Sequence, residues 1–207
     1  MNWEVVDIQP QKRKKDRFNI ITDEGYLLSL SAETIVKHRI KKGTVVDEAR
    51  LEQLRQEDNV KYAKELAANY LGYAPRTRAQ VEKHLAGKGL DEKSIAAAVE
   101  TCREYGYIDD EDYARQMAKS YSTKLGKRAI VEKMRQRGLE EAVIAGVEFS
   151  GEEQEKAAAE LAEKLHAKYA GLPELKRRQR IYGALIRKGF SYEEAARLSR
   201  GGGEEQE

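Results

Sequence analysis

Basic side chains give the clearest chemical signal in this sequence of 207 residues, because they are concentrated in segments that contain few acids. Residues 124–137 contain six Lys/Arg and one acid, and residues 174–188 again contain six Lys/Arg and one acid. Cations at this density attract phosphate backbones or acidic protein surfaces. The pattern therefore predicts a surface that binds a polyanion, with an ordinary solvated helix face as the alternative.

The basic segments belong to a motif that occurs three times at nearly equal spacing, at 78–90, 127–139 and 178–190. In each copy a basic residue is followed by apolar residues three and seven positions later, and a Lys/Arg-Gly pair precedes a final apolar residue. Apolar residues four apart share one helix face, and a basic residue before glycine is typical of a helix C-terminus. The motif predicts one helical unit used three times, an array of the kind that lies along a partner.

Helical geometry identifies the basic residues that face solvent in the third and first copies. Lys176, Arg180 and Arg187 fall within about 40° of one another, since offsets of four and seven residues return to one helix face. Arg76 and Lys83 form the equivalent stripe in the first copy. We expect both stripes to contact a partner.

The second copy differs, because uncharged residues occupy its outer stripe. Leu125, Ala129 and Gln136 stand where the other copies carry charge, and Arg128 and Arg135 point outward instead. The contact surface is therefore expected to shift along the array. The candidate partner-binding residues are Arg76, Lys83, Arg115, Lys119, Lys124, Lys127, Arg128, Arg135, Lys176, Arg177, Arg180 and Arg187.

The composition favours a helix-rich protein and gives little support to an enzyme. Charged residues make up 36% of the chain, and the one cysteine, Cys102, excludes an intramolecular disulfide. No Walker A, GxSxG or HExxH pattern occurs, and the amino terminus does not resemble a secretory signal. Most tyrosines fall in apolar stripes, so we expect them to pack in the core rather than stack on bases. We predict a cytoplasmic protein without a cofactor or a metal.

An acidic run, 109–112, leaves one catalytic alternative open. Asp109, Asp110 and Asp112 could hold Mg²⁺ for a metal-dependent hydrolase. A simpler interpretation places them in the first turn of a helix, where the macrodipole favours negative charge.

The first 50 residues differ from the rest of the chain. Residues 3–8, 17–22 and 25–30 have strand character, and Asp23-Glu24-Gly25 is a good hairpin turn between the last two. We predict a small three-stranded antiparallel sheet with one helix, followed by three-helix units. Thr77 with Gln80, and Ser191 with Glu194, predict capping boxes.

The predicted architecture is mostly α-helical, with tandem three-helix repeats (three units) after the sheet domain. The expected segments are a β-rich domain at 1–47, a linker helix and first repeat at 48–107, a second repeat at 108–150, a third repeat at 151–200 and a disordered acidic tail at 201–207.

Three segments of the helical part of the sequence carry a family likeness. Two lie in the first repeat, Tyr73-Ala74-Pro75-Arg76-Thr77-Arg78 and Lys88-Gly89-Leu90. The most specific is Gly106-Tyr107-Ile108-Asp109-Asp110-Glu111-Asp112-Tyr113-Ala114-Arg115. On these segments, residues 60–200 resemble the RecX family of regulatory proteins, and Lys15-Asp16-Arg17-Phe18-Asn19-Ile20 is similar to the sheet domain that some members carry.

This resemblance implies a tandem-repeat protein that binds filaments of the RecA recombinase on single-stranded DNA. Family members alter filament growth and lower ATP hydrolysis and strand exchange, without catalysis or a cofactor. The implied partners are the filament and single-stranded DNA, with duplex DNA as a further ligand, for a monomer that does not bind membranes. The sequence leaves open whether this chain inhibits or assists the recombinase, and whether it caps filament ends or coats the groove.

The alternative function is that of a helical DNA-binding module that acts without a recombinase. The helix ending at Gly89 and the segment from Asp91 could imitate a helix-turn-helix. However, Asp91-Glu92-Lys93 is partly acidic, whereas a recognition helix needs basic or amide side chains at its start.

Overall fold

The computed structural model describes residues 1–12 and 16–201, which form four strands and ten helices. The predicted acidic tail lies outside the described residues except for Gly201. None of the helices within the described ranges is both long and apolar enough to cross a membrane. The strands are β1 (Asn2–Pro10), β2 (Arg17–Thr22), β3 (Gly25–Ser31) and β4 (Val45–Asp47). The helices are α1 (Ala32–Lys37), α2 (Glu48–Leu71), α3 (Arg78–Ala86), α4 (Glu92–Glu104), α5 (Asp110–Ser122), α6 (Lys127–Gln136), α7 (Glu141–Ala145), α8 (Gly151–Lys168), α9 (Glu174–Arg187) and α10 (Tyr192–Ser199).

The amino-terminal sheet is antiparallel and has four strands in the order β3-β2-β1-β4. The predicted three strands are present, and the expectation of only three was wrong. The added strand β4 pairs with the start of β1, where Trp3 is opposite Val46. Three residues are too few to give an alternating pattern in the sequence, so β4 could be recognised only from its pairing. Val5, Ile20, Leu30, Val46 and Leu54 form the core of this region.

A single long helix, α2, connects the sheet region to the first repeat. Its first half packs Leu51 and Leu54 against the sheet core. Its buried Asp58 accepts hydrogen bonds from the Arg17 guanidinium (2.7 Å), the Ser31 backbone N–H (2.7 Å) and the Thr34 hydroxyl. A buried carboxylate is tolerated only when it is paired and hydrogen-bonded, and this one is both.

Three triplets of helices follow the sheet region, as the periodic motif predicts. They are α2 with α3 and α4, α5 with α6 and α7, and α8 with α9 and α10. The apolar positions of the motif are fully buried in each copy, as Val81 and Leu85, Ile130 and Met134, and Ile181 and Leu185.

Both predicted capping boxes are present. Thr77 and Gln80 exchange side-chain-to-backbone hydrogen bonds of 3.1 and 3.2 Å, and Ser191 and Glu194 do the same. The local signals in the sequence therefore predicted where α3 and α10 begin.

Contacts divide the chain into two compact units. One contains Met1–Ala74 and Val81–Tyr107, and the other contains Pro75–Gln80 and the chain from Ile108 onward. The division falls within α3, so the start of α3 belongs to the unit that contains the second and third repeats.

Candidate functional site

Each motif helix ends at a glycine in the left-handed region. Gly89, Gly138 and Gly189 have φ values of 79°, 79° and 87°. Glycine adopts this conformation without the steric cost that a Cβ imposes. The three glycines of the motif are therefore explained first by the backbone conformation that ends each helix.

The C-terminal end of one motif helix is also hydrogen-bonded to the N-terminal end of another. At the start of α6, the Gly126 N–H donates to the Lys188 carbonyl (2.9 Å) and the Arg128 N–H donates to the Gly189 carbonyl (3.1 Å). At the start of α3, the Thr77 hydroxyl donates to the Arg137 carbonyl at 2.6 Å. These bonds join donors at a helix N-terminus with acceptors at a helix C-terminus, which both otherwise lack partners.

These junctions leave no space for a side chain. A Cβ at Gly189 would lie 2.4 Å from the Ala129 Cβ, and a Cβ at Gly138 would lie 2.5 Å from the Ala79 Cβ. A Cβ at Gly126 would lie 2.2 Å from the Gly189 carbonyl carbon. The close approach explains why the residue before α6 is glycine. The Gly126 and Arg128 N–H groups donate to the end of α9, and the Lys127 N–H donates to the Gln154 side chain.

The junction between α6 and the end of α9 forms a basic groove of about 720 Å³. It contains five Lys/Arg and one acid, Glu132. We define the basic groove by its charged and polar lining, which is Lys127, Arg128, Glu132, Lys133, Arg135, Gln136 and Arg187.

Most cations of the basic groove are available to a ligand. Arg135 is the exception, because its guanidinium binds Glu141 through two hydrogen bonds of 2.6 and 3.0 Å and holds the pKa of that carboxyl below its ordinary value. In the part of the chain that the structure describes, Lys127, Arg128, Lys133 and Arg187 have no ion pair. The Arg128 guanidinium instead lies 4.7 Å from the centre of the Tyr192 ring. Such a surface would attract a polyanion.

The remaining predicted residues lie outside the basic groove. Arg115 is paired with Glu111 and Asp112, at 3.8 and 3.4 Å. Arg76 and Arg177 are half-buried, and Arg180 lies 5.6 Å from the Tyr169 ring. Lys83, Lys119, Lys124 and Lys176 are exposed. The structure therefore brings four of the twelve candidates together, Lys127, Arg128, Arg135 and Arg187.

The uncharged stripe of the second repeat has a structural explanation. Ala129 packs against Gly189, and the Leu125 carbonyl accepts a hydrogen bond from Gln154 at 3.2 Å. Two of its three residues thus contact the third repeat, while Gln136 lines the basic groove. Charge is absent from this stripe because another helix packs there.

Sequence reasoning missed Lys133 and misplaced several tyrosines. Lys133 belongs to the basic segment, but its approach to the Tyr121 ring (5.4 Å) and to the groove depends on the fold. Six tyrosines are exposed, contrary to the expectation that most pack in the core. Four of them lie in turns or at a helix start, whereas Tyr26 lies on β3 and Tyr182 lies within α9. The six are Tyr26, Tyr73, Tyr105, Tyr107, Tyr182 and Tyr192.

The acidic run at 109–112 begins a helix. The Asp109 carboxylate accepts from the Asp112 N–H at 2.7 Å, and Asp110 accepts from the Arg78 N–H. Among the described residues no group of three or more His, Cys, Asp or Glu side chains could hold a metal ion. Burial raises the pKa of the Cys102 thiol, which disfavours the nucleophilic thiolate.

Family models match four consecutive parts of the chain. They describe the RecX N-terminal domain (residues 4–47) and the first, second and third three-helix domains of RecX (residues 63–102, 109–147 and 152–198). Together these models cover the sheet region and all three helical triplets.

Relatives and solved structures agree with the family models. The regulatory protein RecX of Staphylococcus carnosus is 31% identical over 91% of this chain and 72% of its own, and that of Bacillus subtilis is 31% identical over 91% and 73%. A crystal structure of a regulatory protein RecX, 29% identical, covers 95% of this chain and 98% of its own with a TM-score of 0.69. RecX from Lactobacillus salivarius, 24% identical over 69% of this chain and 95% of its own, has the same fold with a TM-score of 0.64. The chain therefore belongs to the RecX family of regulatory proteins.

Proposed function

We propose that this protein is a non-enzymatic modulator of the RecA recombinase that binds RecA filaments on single-stranded DNA. It alters filament growth, ATP hydrolysis and strand exchange by binding along the helical groove of the filament. It acts as a monomer in the cytoplasm and needs no cofactor. Family membership supports the recombinase as the partner.

The single observation that carries the mode of binding is the basic groove between α6 and the end of α9. Four of its cations form no ion pair with any described residue, and they lie on two helices that backbone hydrogen bonds join. Binding a polyanion there would not require breaking ion pairs within the chain. Charge-assisted contacts to phosphate or carboxylate oxygens are the interactions that this groove would make.

A helix-turn-helix reader of duplex DNA is less well supported. In that alternative α4 would enter the major groove with its first residues. Although burial acts to raise the pKa of Asp91, hydrogen bonds from Ser94 and Asn59 hold it at about 2, so α4 begins with a permanent negative charge. That charge would repel the DNA backbone.

The proposal is tested by the ATPase rate of preformed RecA filaments on single-stranded DNA as this protein is titrated in. We expect the rate to fall. If a ratio far below one molecule per recombinase is enough to lower the rate, the protein caps filament ends. If a higher ratio is needed, the protein coats the groove. No change in the rate, with binding to bare DNA retained, would instead identify a nucleic-acid-binding module that acts without a recombinase.

A charge-reversal pair tests the basic groove itself. Arg128→Glu with Arg187→Glu should raise the concentration needed for half-maximal inhibition at least tenfold, because two unpaired cations become anions. The matched control is Lys156→Glu with Lys164→Glu, which makes the same change of charge on α8, where both lysines are exposed. Equal effects of the two pairs would show that only net charge matters, and the groove would be rejected as the binding site.

A further inference from the structure

The end of α3 is built like two sites in this chain that bind the beginning of another helix. In the two internal junctions, the carbonyl before the motif glycine, Arg137 or Lys188, accepts a hydrogen bond from the cap of the incoming helix. An alanine in the first turn of that helix then packs on the glycine. The chain therefore contains a binding mode that it uses twice.

The corresponding end of α3 is unoccupied by any described part of the chain. Gly89 has the same left-handed backbone, yet within the described ranges no atom would approach a Cβ there within 4 Å. Hydrogen bonds from described residues do not reach the Lys88 carbonyl. Leu90 is half-buried, whereas its counterparts Leu139 and Phe190 are 5% and 1% exposed.

A second glycine lies at the end of α3. Gly87 stands two residues before Gly89, where the other two copies have Gln136 and Arg187. A Cβ at Gly87 would meet only the Lys83 and His84 carbonyls, at ordinary distances of 3.4 and 3.5 Å. Packing within the chain therefore does not require glycine at 87, although glycine is unfavourable at a helix end of ordinary geometry compared with alanine.

We propose that the end of α3, residues 86–90, binds the N-terminus of a helix of the protein partner. The incoming helix would carry alanine or glycine in its first turn and would donate an N–H or a hydroxyl to the Lys88 carbonyl. This inference rests on the proposed function, in which that partner is the recombinase in its filament.

Most helix starts of a second copy of this chain do not fit this site. The starts of α3 and α6 are engaged in the internal junctions. The first turn of α9 begins Glu174-Leu175-Lys176, whose long side chains cannot pack on a bare glycine. The helices α4, α5 and α10 have neither alanine nor glycine among their first three residues.

The test fills the end of α3 without disturbing the fold. Asparagine tolerates the left-handed conformation, and a Cβ at Gly89 has open space, so Gly89→Asn should fold normally. We expect its affinity for RecA filaments to fall at least tenfold while its affinity for bare single-stranded DNA is unchanged. The matched control is Gly106→Asn, at a helix end with the same left-handed backbone and open space, which should bind filaments like the wild type.

A second variant separates binding from stability. Gly87→Ala should unfold at or above the temperature of the wild type, yet bind filaments at least threefold more weakly, because its methyl group occupies the path of the incoming backbone. If Gly89→Asn and Gly87→Ala both bind filaments like the wild type, or if Gly106→Asn is impaired equally, the inference is wrong. If the wild type itself does not bind filaments, the proposed function fails and this inference with it.

Discussion

At the scale of single residues, the motif glycines serve two physical requirements that the sequence does not separate. All three have a positive φ, but among the described parts of the chain another helix packs only on Gly138 and Gly189. The same residue in different copies of the motif therefore contributes differently to the free energy of unfolding. The repeated motif predicts the backbone conformation of each glycine. The contacts of each glycine depend instead on whether another helix packs on that helix end.

This difference predicts unequal costs for the same substitution. Gly89→Ala should lower the free energy of unfolding by about 1–2 kcal/mol, the cost of a Cβ in the left-handed region. Gly138→Ala should cost about 1–3 kcal/mol more, because its Cβ would lie 2.5 Å from the Ala79 Cβ and the helices must move apart. Urea unfolding followed by circular dichroism measures both values. Equal costs would show that the junction yields without strain.

At the scale of elements, a buried carboxylate of α2 joins this helix to the sheet region. Asp58 faces three donors, and its ion pair with Arg17 has side chains that are 2% and 15% exposed. An amide has only one acceptor oxygen and would turn an NH₂ group toward these donors. The junction of strand and helix thus depends on the charge of Asp58 as well as its shape.

We therefore expect Asp58→Asn to lower the free energy of unfolding by about 3 kcal/mol, since a buried guanidinium loses its partner. Fluorescence of Trp3, the only tryptophan, reports the sheet, and circular dichroism reports the helices. The control is Glu65→Gln on the same helix, whose exposed pair with Lys61 should contribute less than about 1 kcal/mol. Similar stabilities for the two variants would contradict this account.

The same elements show how far the sequence could predict the fold. Helix starts at Thr77, Asp109 and Ser191 were predictable, because capping depends on residues three positions apart. Strand β4 and the Asp58 network were not, because their partners are distant in sequence. The basic groove was predictable in part. Its residues belong to basic segments that the sequence shows, but these segments come together only through the contact of Gly126 with Gly189.

At the scale of the whole molecule, the third repeat differs from the first and second at the start of its motif helix. The helices α3 and α6 begin at the leading basic residues of the motif, Arg78 and Lys127. The helix α9 begins four residues before Arg178, and Lys176 and Arg177 lie in its added turn. The first turn of α9 therefore has neither alanine nor glycine, and it carries charge instead.

The basic groove and the end of α3 predict two contributions to binding that respond differently to salt. Removing one protein cation that neutralises a phosphate of single-stranded DNA should reduce the slope of log affinity against log salt by about 0.7. Arg128→Gln with Arg187→Gln should therefore reduce the slope for bare single-stranded DNA by about 1.4. Lys156→Gln with Lys164→Gln should leave it unchanged, and so should Gly89→Asn, which removes no charge.

Fluorescence anisotropy of labelled single-stranded DNA between about 50 and 200 mM salt measures these slopes, a range over which several phosphate contacts change affinity by orders of magnitude. The same titrations on RecA filaments should give a lower affinity for Gly89→Asn at every salt concentration, because a helix end packed on glycine is an uncharged contact. Equal slopes for the two glutamine pairs would remove the groove from the nucleic-acid contact. A weakening by Gly89→Asn that vanishes at high salt would show that the end of α3 acts through charge rather than through packing.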